Sequence, residues 1–488
     1  MQRSIHSFAS RGVGFGTSGV RATVDALTDE VCFAYAAAFL GVLAQRKGGR
    51  VAEIAIGHDL RPSSPRITAA CIAACTAAGT RVVHCGALPT PALANFALRR
   101  RLPAIVVTGS HIPFDRNGIK FYTAEGEILK DDETAIASAA VELDAGAFDA
   151  RGMLRKPAPL PAVDPSALEL YRERYVSLFS PELLRGRRIG VYEHSSVARD
   201  VLGGVLRRLG AEVVSLGRTD TFVPVDTEAV GEADQRQGRA WAAEHRLDAI
   251  VSTDGVADRP LIADETGTWL RGDLVGLLCA RFVGARTVVT PVSSNSAVER
   301  SGLFPKVLRT RIGSPYVIAA MTEAVRAGEA PVAGYEANGG FLLGSDVTRA
   351  SAPLPALPTR DALLPILALL AMAAERGVAL SALSAGLPAR FTASDRLQSF
   401  ETERSRRLLA DLSASPESLR AFFSELGAVA EVNQVDGLRA TLASGEIVHL
   451  RPSGNAPELR CYGEADSAER AAELSRWGLA RAAERAQR

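Results

Sequence analysis

The amino-acid sequence predicts an α/β protein built from repeated units, with a smaller α+β domain at its C-terminal end. Helical and strand patterns alternate over most of the 488 residues, which is typical of parallel sheets covered by helices. One unit recurs as a second copy, and the pattern changes beyond about residue 390. A chain of this length is expected to form roughly three or four domains, because domains usually hold about 100–200 residues.

The first unit shows the design of the repeat. An Ala-rich helical pattern starts at Ser64 and ends at Gly79, where glycine is a good C-terminal cap, and the strand pattern "TRVVHCG" follows. In the second copy, a helical pattern ends at Gly210 and leads into "AEVVSLG", with the two Val-Val pairs in register. The segments "AIVVTGSH" from Ala104 and "AIVSTDGV" from Ala249 extend the match. The two regions are therefore predicted to be copies of one α/β unit.

The rest of the chain completes the predicted domain division. Strand patterns at 286–295 and 330–340 enter polar loops and indicate a third unit, and the Pro-rich segment 156–165 is a natural linker. Near the C-terminal end, two strands surround a turn at 443–446, and a third strand and an amphipathic helix follow. The predicted domains are residues 1–155, 165–275, 276–388 and 391–488.

Composition and charge exclude several classes of partner. The 56 Lys and Arg residues nearly balance the 55 Asp and Glu residues, so no general field attracts nucleic acid or an anionic membrane. No apolar stretch approaches the ~18 residues of a membrane span, and no secretory signal is recognised at the N-terminus. Any anionic ligand must therefore be met by a local cluster of cations.

The cysteines indicate a reducing compartment. Six are scattered singly, without the grouped spacing of a metal site or of a disulfide framework, at positions 32, 71, 75, 85, 279 and 461. We interpret Cys71 and Cys75 as small buried side chains on one helix face. A cytoplasmic protein is the expectation.

The first of four polar loops contains Ser110, His111 and, on its return, Lys120. Ser110 follows the apolar strand "AIVVTG", and ligands of open parallel sheets bind at the carboxyl ends of strands. A Ser-His-Asp hydrolase is not favoured, because adjacent Ser and His side chains point apart on an extended backbone and no G-x-S-x-G motif is present. A phosphorylated serine would need an exposed hydroxyl, a cation and a proton carrier. A polar loop without chemistry is the alternative.

The second loop, "STDGVADRPLIADE", offers ligands for a metal. Asp254 and Asp258 project from a tight turn after an apolar strand, and Arg259 follows directly. Closely spaced carboxylates are the hard oxygen ligands that Mg²⁺ prefers. An Asx-turn with a surface ion pair is the alternative interpretation.

The third loop, "GYEANGGF", places Glu336 and Asn338 among glycines. A carboxylate and an amide can both bind sugar hydroxyls, although this signal is weak by itself.

The fourth loop, "RPSGNAPELR", has the composition of a phosphate site. It combines guanidinium groups, a hydroxyl and free backbone amides on a flexible turn, from Arg451, Ser453, Gly454, Asn455 and Arg460. A polar hairpin loop is the alternative.

In their order and spacing the four loops resemble the α-D-phosphohexomutase family, which includes phosphomannomutase, phosphoglucomutase and the phosphoglucosamine mutases. The segments "FGTSGVRA" from Phe15 and "GHDLRPSS" from Gly57 extend this resemblance over nearly the whole chain. The resemblance implies three related α/β domains with mixed sheets and a smaller C-terminal α+β domain around a central cleft. It also implies a phosphosugar substrate. From the balanced charge we expect no nucleic acid or membrane partner, and we expect a monomer or homodimer.

The resemblance also implies a role for each loop. Ser110 would carry a phosphoryl group and, with Asp254 and Asp258, would hold Mg²⁺. The resemblance places the family's acid/base and charge-stabilising groups at His111, Lys120, Arg21 and Arg259. It places the groups that bind the sugar and its distal phosphate at Glu336, Asn338, Arg451, Ser453, Gly454, Asn455 and Arg460. The implied reaction interconverts hexose 1-phosphate and hexose 6-phosphate through a phosphoserine and a bound hexose 1,6-bisphosphate, which also serves as activator.

Three positions depart from the family pattern. Val256 stands where the metal loop usually has a second Asp, and Ile112 stands where the serine loop usually has Asn. In the sugar loop, Asn338 and Gly340 replace the usual Ser and His, and "EANG" resembles the acetylglucosamine phosphate mutases. A phosphoglucosamine or acetylglucosamine phosphate mutase, or a phosphosugar-binding protein with little turnover, is therefore the alternative to a phosphomannomutase/phosphoglucomutase.

Overall fold

The computed structural model describes residues 2–16, 19–110, 114–228, 230–349, 351–453 and 457–487. They form two compact units, of which the first comprises Met1–Gly284 with Asn338–Leu383 and the second Ala285–Ala337 with Ser384–Arg488. Within the described ranges, no helix combines the length and apolar character needed to cross a membrane. All six cysteines are described, and all are buried free thiols.

The first part of the first unit contains a mixed sheet. The strands of this part are Gln2–Ser4 (β1), Gly14–Phe15 (β2), Val20–Thr23 (β3), Glu53–His58 (β4), Arg81–Ala87 (β5), Ala104–Val107 (β6), Arg116–Thr123 (β7), Gly126–Glu127 (β8) and Ala140–Glu142 (β9). Strands β1 and β9 form a separate antiparallel pair. The helices of this part are a 3-10 helix, Ile5–Arg11, and the α-helices Asp29–Lys47 (α1), Ser64–Ala77 (α2), Thr90–Arg100 (α3) and Lys130–Ala137 (α4). The sheet has the order β2-β3-β7-β6-β4-β5, in which β4 is parallel to β5 and β6 while β7 is antiparallel to β6 and β3.

The second part of the first unit confirms the predicted repeat. It comprises Ser166–Val176 (α5), Arg188–Tyr192 (β10), Arg199–Arg208 (α6), Glu212–Leu216 (β11), Glu232–His245 (α7), Ala249–Thr253 (β12), Pro260–Ala263 (β13) and Gly272–Phe282 (α8). The sheet order β11-β10-β12-β13 matches β5-β4-β6-β7, including the antiparallel last strand. Gly79 and Gly210 follow their helices with φ of 67° and 92°, which only glycine adopts without strain.

Residues 287–335 belong to the second unit and form the predicted third α/β pattern. The elements are Thr287–Pro291 (β14), Ala297–Arg300 (α9), Lys306–Thr310 (β15), Ser314–Arg326 (α10) and Val332–Tyr335 (β16). Strand β14 pairs in parallel with β15 and with β16.

The chain then returns to the first unit. Its elements here are Phe341–Leu343 (β17), Val347–Arg349 (β18), Ala352–Leu354 (β19), Leu357–Asp361 (β20), Leu363–Arg376 (α11) and a 3-10 helix, Leu380–Ser384. Strands β17 and β20 are antiparallel, and α11 packs against α8.

The C-terminal part of the second unit is the predicted α+β domain. It contains Phe391–Leu397 (β21), Thr402–Ser413 (α12), Pro416–Phe423 (α13), Val429–Asn433 (β22), Leu438–Leu442 (β23), Ile447–Pro452 (β24), Leu459–Ala465 (β25) and Ala468–Gln487 (α14). The sheet order is β21-β25-β24-β23-β22, with every pair antiparallel. Alternate residues Leu450, Leu459 and Cys461 are buried with Leu474 of α14, as the amphipathic patterns predict. The predicted α/β class with a C-terminal α+β domain is thus confirmed.

Candidate active site

Ser110 lies in the first unit, three residues beyond the end of β6. Its hydroxyl donates a hydrogen bond to Asp254 Oδ2 at 3.0 Å, and only 1% of the residue is exposed. The backbone has φ of 54°, a left-handed conformation that is unfavourable for any residue with a Cβ and that concentrates at functional sites. The surrounding structure must therefore hold Ser110 in place.

Asp59, which directly follows β4, organises the backbone on which Ser110 lies. Its Oδ1 accepts hydrogen bonds from Ser64 Oγ at 2.5 Å and from the backbone of Arg61 at 3.1 Å. Its Oδ2 accepts from Thr108 Oγ1 at 2.8 Å and from Gly109 N at 3.3 Å. Thr108 Oγ1 in turn accepts from Ser110 N at 2.9 Å. A single buried carboxylate thus fixes both the strand end and the serine.

Arg61 supports the serine from the same side. Its guanidinium donates to the carbonyl oxygens of Ser110 at 2.8 Å and Arg116 at 2.9 Å. It pairs with Asp59 at 3.3 Å and stacks on the ring of Phe222 at 4.1 Å, which is a favourable cation–π distance. Burial lowers the pKa of Arg61, although the charge of Asp59 opposes this shift. A planar guanidinium with fixed partners is well suited to hold a strained backbone.

We expect Gly109→Ala to displace Arg61 and disturb Ser110. A Cβ at position 109 would lie 2.5 Å from Arg61 Cζ and 2.6 Å from its Nε, too close for a guanidinium held by several partners. Overpacking of this kind costs about 1–3 kcal/mol of stability, and misplacement of a reacting group by about 1 Å lowers turnover by roughly 100-fold. Denaturant unfolding and steady-state kinetics would measure both effects.

The matched control is Gly41→Ala in α1, where an added Cβ would meet nothing within 4 Å. That variant should be at least as stable as wild type, because alanine is more favourable than glycine within a helix, and it should keep its turnover. If Gly109→Ala behaves like this control, Arg61 does not position the serine.

The two predicted metal-loop carboxylates lie beside Ser110. Asp254 follows β12, and its Oδ1 accepts backbone hydrogen bonds from Asp258 at 3.1 Å and Arg259 at 3.4 Å. Ala257 in the same turn is left-handed, with φ of 58°. The carbonyl of Val256 accepts from Thr90 N at 3.0 Å, and its side chain is buried. The turn therefore presents two carboxylates with an aliphatic side chain between them in sequence.

Asp258 is surrounded by cations. Lys120 Nζ and Arg360 Nη2 lie 3.0 Å and 2.8 Å from its Oδ2, and Arg259 Nε lies 3.8 Å from its Oδ1. Burial alone would raise the pKa of Asp258, but the charges of Arg360, Lys120 and Arg259 together hold this pKa well below its usual range. Asp258 is consequently an anion at neutral pH.

The pKa values of Asp254 and Arg21 are both shifted by burial and by neighbouring groups of the same charge. Burial, and then the negative charge of Asp258, raise the pKa of Asp254. Burial, followed by the charges of Arg259 and Arg360, lowers the pKa of Arg21 on β3 to about 10. Asp254 is therefore close to a second carboxylate, and Arg21 is close to other guanidinium groups.

Positive charge predominates around Ser110. We define the cationic cluster as Arg21, Arg61, Lys120, Arg259 and Arg360. Three buried carboxylates, those of Asp59, Asp254 and Asp258, face these five cations. This concentration of positive charge favours an anionic group, such as a phosphoryl group on the serine.

The described part of the predicted phosphate loop lies in the second unit. Arg451 on β24 is directly opposite Arg460 on β25, so their side chains lie on the same face of the sheet. Ser453 N donates to Glu458 O at 2.8 Å, and Arg460 Nη2 lies 3.4 Å from Glu458 Oε2. Two guanidinium groups on one face of a hairpin are a suitable platform for a phosphate.

Arg451 is oriented by Asp436, from the turn between β22 and β23. Arg451 Nε lies 2.7 Å from Asp436 Oδ2, and the same oxygen accepts from Ile312 N at 3.0 Å. His449 Nε2 donates to the Asp436 carbonyl at 2.6 Å, and burial lowers the pKa of His449 to about 4, so that it stays neutral. These contacts hold Asp436 in place, and its carboxylate in turn forms an ion pair with Arg451.

The two predicted sugar-binding residues belong to different units. Glu336 is buried directly after β16 in the second unit. Asn338 belongs to the first unit, where its Oδ1 accepts from Gly340 N at 3.0 Å and its carbonyl accepts from Thr227 Oγ1 at 3.1 Å.

Some predicted residues lie outside the described ranges, and some site residues were not predicted. His111, Gly454 and Asn455 lie outside them. The residues without a predicted role are Asp59, Arg61, Phe222, Arg360 and Asp436. Asp59 and Arg61 follow an apolar strand, the same signal that marked the other loops, whereas nothing in "LPTRDALLP" distinguishes Arg360 from an ordinary surface arginine.

A strained serine among cations at the carboxyl end of a parallel strand is typical of enzymes that act on anionic substrates. Family models match this chain for phosphoglucomutase/phosphomannomutase α/β/α domain I over residues 12–146, α/β/α domain III over 271–391 and the C-terminal domain over 403–476.

Individual relatives agree with these matches. A phosphomannomutase of Sinorhizobium fredii is 49% identical over 473 residues, 96% of this chain and 98% of the relative. A phosphomannomutase of Salmonella muenchen is 48% identical over 95% of this chain and 94% of its own. A phosphoglucomutase/phosphomannomutase family protein from Burkholderia thailandensis has the same fold, with a TM-score of 0.74 at 22% identity over 96% of this chain and 97% of its own. The protein belongs to the phosphoglucomutase/phosphomannomutase family, the α-D-phosphohexomutases.

Family membership implies a metal cofactor, and Asp258 offers a test of whether the residues fit one. Its Oδ1 is buried and has no hydrogen-bond partner among the described residues, while Asp254 Oδ2 and Ser110 Oγ form one oxygen pair beside it. No group of three or more His, Cys, Asp or Glu side chains suited to a metal occurs in the described ranges. Two carboxylates and the serine oxygen are hard oxygen ligands of the kind that a divalent ion takes, so the residues fit such an ion with fewer protein ligands than a complete set.

Proposed function

We propose that the protein is a phosphohexomutase that interconverts hexose 1-phosphate and hexose 6-phosphate, with mannose and glucose phosphates as its substrates. The observation that carries this proposal is the Ser110 hydroxyl, 3.0 Å from Asp254 Oδ2 and surrounded by the cationic cluster. The phosphomannomutases that are 48–49% identical over nearly the whole chain support it.

In the proposed reaction, Ser110 carries a phosphoryl group. The free hydroxyl of the hexose phosphate attacks this phosphorus, so that a phosphorus–oxygen bond to the sugar forms as the bond to Ser110 Oγ breaks. The sugar hydroxyl gives its proton to a base, the departing Ser110 Oγ takes up a proton to become a free hydroxyl, and a hexose 1,6-bisphosphate results. The bisphosphate then donates its other phosphoryl group to Ser110, which restores the phosphoenzyme. Added hexose bisphosphate would activate the protein by loading the serine.

The cationic cluster stabilises the charge that is transferred. Phosphoryl transfer depends mainly on positioning and electrostatic stabilisation, and preorganised cations in a buried site supply both. We assign this role to Lys120, Arg259 and Arg21. Asp254, Asp258 and Ser110 would hold Mg²⁺, which when bound neutralises charge on the phosphoryl oxygens.

The second unit supplies groups suited to a phosphate that does not react. Arg451 and Arg460 provide two guanidinium groups on one face, and Ser453 provides a hydroxyl. Charge-assisted hydrogen bonds from arginine to phosphate are among the strongest that proteins form. Glu336 and Asn338 are assigned to the sugar hydroxyls.

Two measurements test the function. A coupled assay over mannose, glucose, glucosamine and acetylglucosamine 1-phosphates, with a trace of the corresponding bisphosphate, should show turnover of mannose and glucose phosphates. The intact-protein mass after incubation with bisphosphate should rise by one phosphoryl group. A protein that neither turns over these substrates nor gains the phosphoryl group is a binding protein.

We expect Arg451→Ala to lower kcat/KM for the preferred substrate by about 10- to 100-fold, because each charged hydrogen bond to phosphate contributes roughly 1.5–3 kcal/mol. The bisphosphate should also escape more often before its second transfer, which would raise the need for added activator. Arg420→Ala is the control, since Arg420 lies in the same C-terminal domain and pairs with Glu417 on the exposed surface of α13. An unchanged kcat/KM for every substrate would remove Arg451 from the phosphate site.

A further inference from the structure

Arg360, a residue without a sequence-predicted role, is directly connected to the serine site. Arg360 lies in β20 and is 6% exposed. Its Nη2 lies 2.8 Å from Asp258 Oδ2, the oxygen that Lys120 Nζ also contacts at 3.0 Å. Two cations therefore share one oxygen of a predicted metal ligand.

The surroundings of Arg360 fix its position. A Cβ added at Gly340 would lie 2.8 Å from Arg360 Cδ and 3.0 Å from its Cγ, so the aliphatic part of the side chain packs against a glycine backbone. The next residue, Asp361, accepts hydrogen bonds from the hydroxyls of buried Tyr171 and Tyr175. Arg360 is thus placed by a packed interior and is not a mobile surface side chain.

The position of Arg360 affects how Asp258 can act toward a divalent ion. Of the two carboxylate oxygens of Asp258, Oδ1 has no hydrogen-bond partner among the described residues, because Lys120 and Arg360 both contact Oδ2. Asp254 Oδ1 already accepts two backbone N–H groups, and the side chain of Val256 offers no oxygen. A divalent ion would therefore have few protein ligands and would be repelled by the fixed positive charges of Lys120, Arg259 and Arg360 nearby.

We propose that Arg360 is a built-in cation of the serine site that sets the protein's dependence on divalent metal. By holding Asp258 and adding a permanent positive charge, Arg360 weakens the binding of a divalent ion and keeps phosphorylated Ser110 charge-balanced without that ion. This proposal rests on the proposed mutase function, because it concerns the phosphorylated state of Ser110. It makes Arg360 a positioning residue, which acts on the serine through Asp258.

The test compares metal affinity in the full-length protein. Wild type, Arg360→Gln and Arg360→Lys are treated with a chelator, dialysed and titrated with Mn²⁺ by calorimetry, with no sugar present. We expect wild type to bind Mn²⁺ weakly, in the millimolar range. Arg360→Gln should bind about tenfold tighter or more, since one charged hydrogen bond and one repulsive charge are removed. Arg360→Lys should resemble wild type, and so should Arg151→Gln, a control in which a surface charge is removed.

A second measurement follows the phosphoserine. Each protein is incubated with glucose 1,6-bisphosphate, with and without Mn²⁺, and its intact mass is recorded over time. Wild type and Arg360→Lys should accept and retain the phosphoryl group without Mn²⁺, whereas Arg360→Gln should do so only when Mn²⁺ is present.

The outcomes separate this proposal from the proposed function. Micromolar or tighter Mn²⁺ binding by wild type overturns the proposal even if the variants fail to fold, and so does an Arg360→Gln variant whose Mn²⁺ affinity is no tighter than that of wild type. If no protein gains a phosphoryl group under any condition, the mutase function fails, and with it the charge-balance part of the proposal. The Mn²⁺ affinities still decide whether Arg360 controls metal binding, because they are measured without a sugar.

Discussion

Ser110→Ala is expected to abolish turnover while leaving the fold intact. In the proposed reaction no other group can accept the phosphoryl group, and loss of a nucleophile typically lowers kcat by about 10³-fold or more. The folding cost should be small, about 1 kcal/mol, because the change removes one hydrogen bond to Asp254 and one small polar group. Steady-state kinetics, intact mass after incubation with bisphosphate and denaturant unfolding would measure these three quantities.

Ser475→Ala is the matched control for this variant. Ser475 is equally buried and donates one hydrogen bond, to Cys461 O at 3.2 Å, in the C-terminal domain. Its loss should cost similar stability and leave turnover unchanged. A Ser110→Ala protein that still turns over hexose phosphates, or that still gains mass with bisphosphate, would show that the phosphoryl group is carried elsewhere.

Lys120→Met is expected to cause the second large loss. Lys120 Nζ lies 3.0 Å from Asp258 Oδ2 and the side chain is buried, so its charge acts on the site with little screening. Removal of a group that stabilises charge or moves a proton typically lowers kcat by about 10²–10⁴-fold. Asp258 keeps Arg360 as a partner, so the variant does not leave this carboxylate without a cation. Kinetics at saturating substrate, together with a thermal melt, would measure the effect.

Lys130→Met serves as the control, since Lys130 has a partly exposed side chain that pairs with Glu133 at 2.6 Å and donates to Gly16 O at 3.3 Å. It should retain wild-type kcat. If Lys120→Met changes KM alone and keeps kcat, then Lys120 binds substrate but does not stabilise the transferring group.

Local patterns in the sequence were sufficient to predict much of the fold. The matched glycines 79 and 210 predicted two helix ends, and the Val-Val pairs that follow them predicted equivalent strands, β5 and β11. Both signals are local, because a left-handed cap needs glycine and an apolar β-branched pair favours a buried strand. The antiparallel strands β7 and β13 make both sheets mixed. The direction of each depends on which strand it pairs with in space, and no local sequence pattern encodes that choice.

The site, like the fold, has features that the sequence predicts and features that only folding creates. Ser110, Asp254 and Asp258 were predicted from the sequence because each follows an apolar strand, and the carboxyl ends of strands are where ligands bind. Their proximity, with Ser110 Oγ 3.0 Å from an oxygen 144 positions away in sequence, follows only from folding. The roles assigned to all the predicted site residues stay predictions, including those of His111, Gly454 and Asn455 outside the described ranges.

The sequence by itself determined the class of the protein, the repeat and the residues at the strand ends, because these depend on residue type and short spacing. Only the tertiary structure revealed that Asp59 and Arg61 hold the serine backbone and that Arg360 shares Asp258 with Lys120. Arg360 is 102 positions from Asp258, and an arginine within a strand has the same appearance in sequence whether its side chain meets solvent or a buried carboxylate. Its environment is set by the packing of β20 against the rest of the first unit, so its charge acquires a role only in the folded chain.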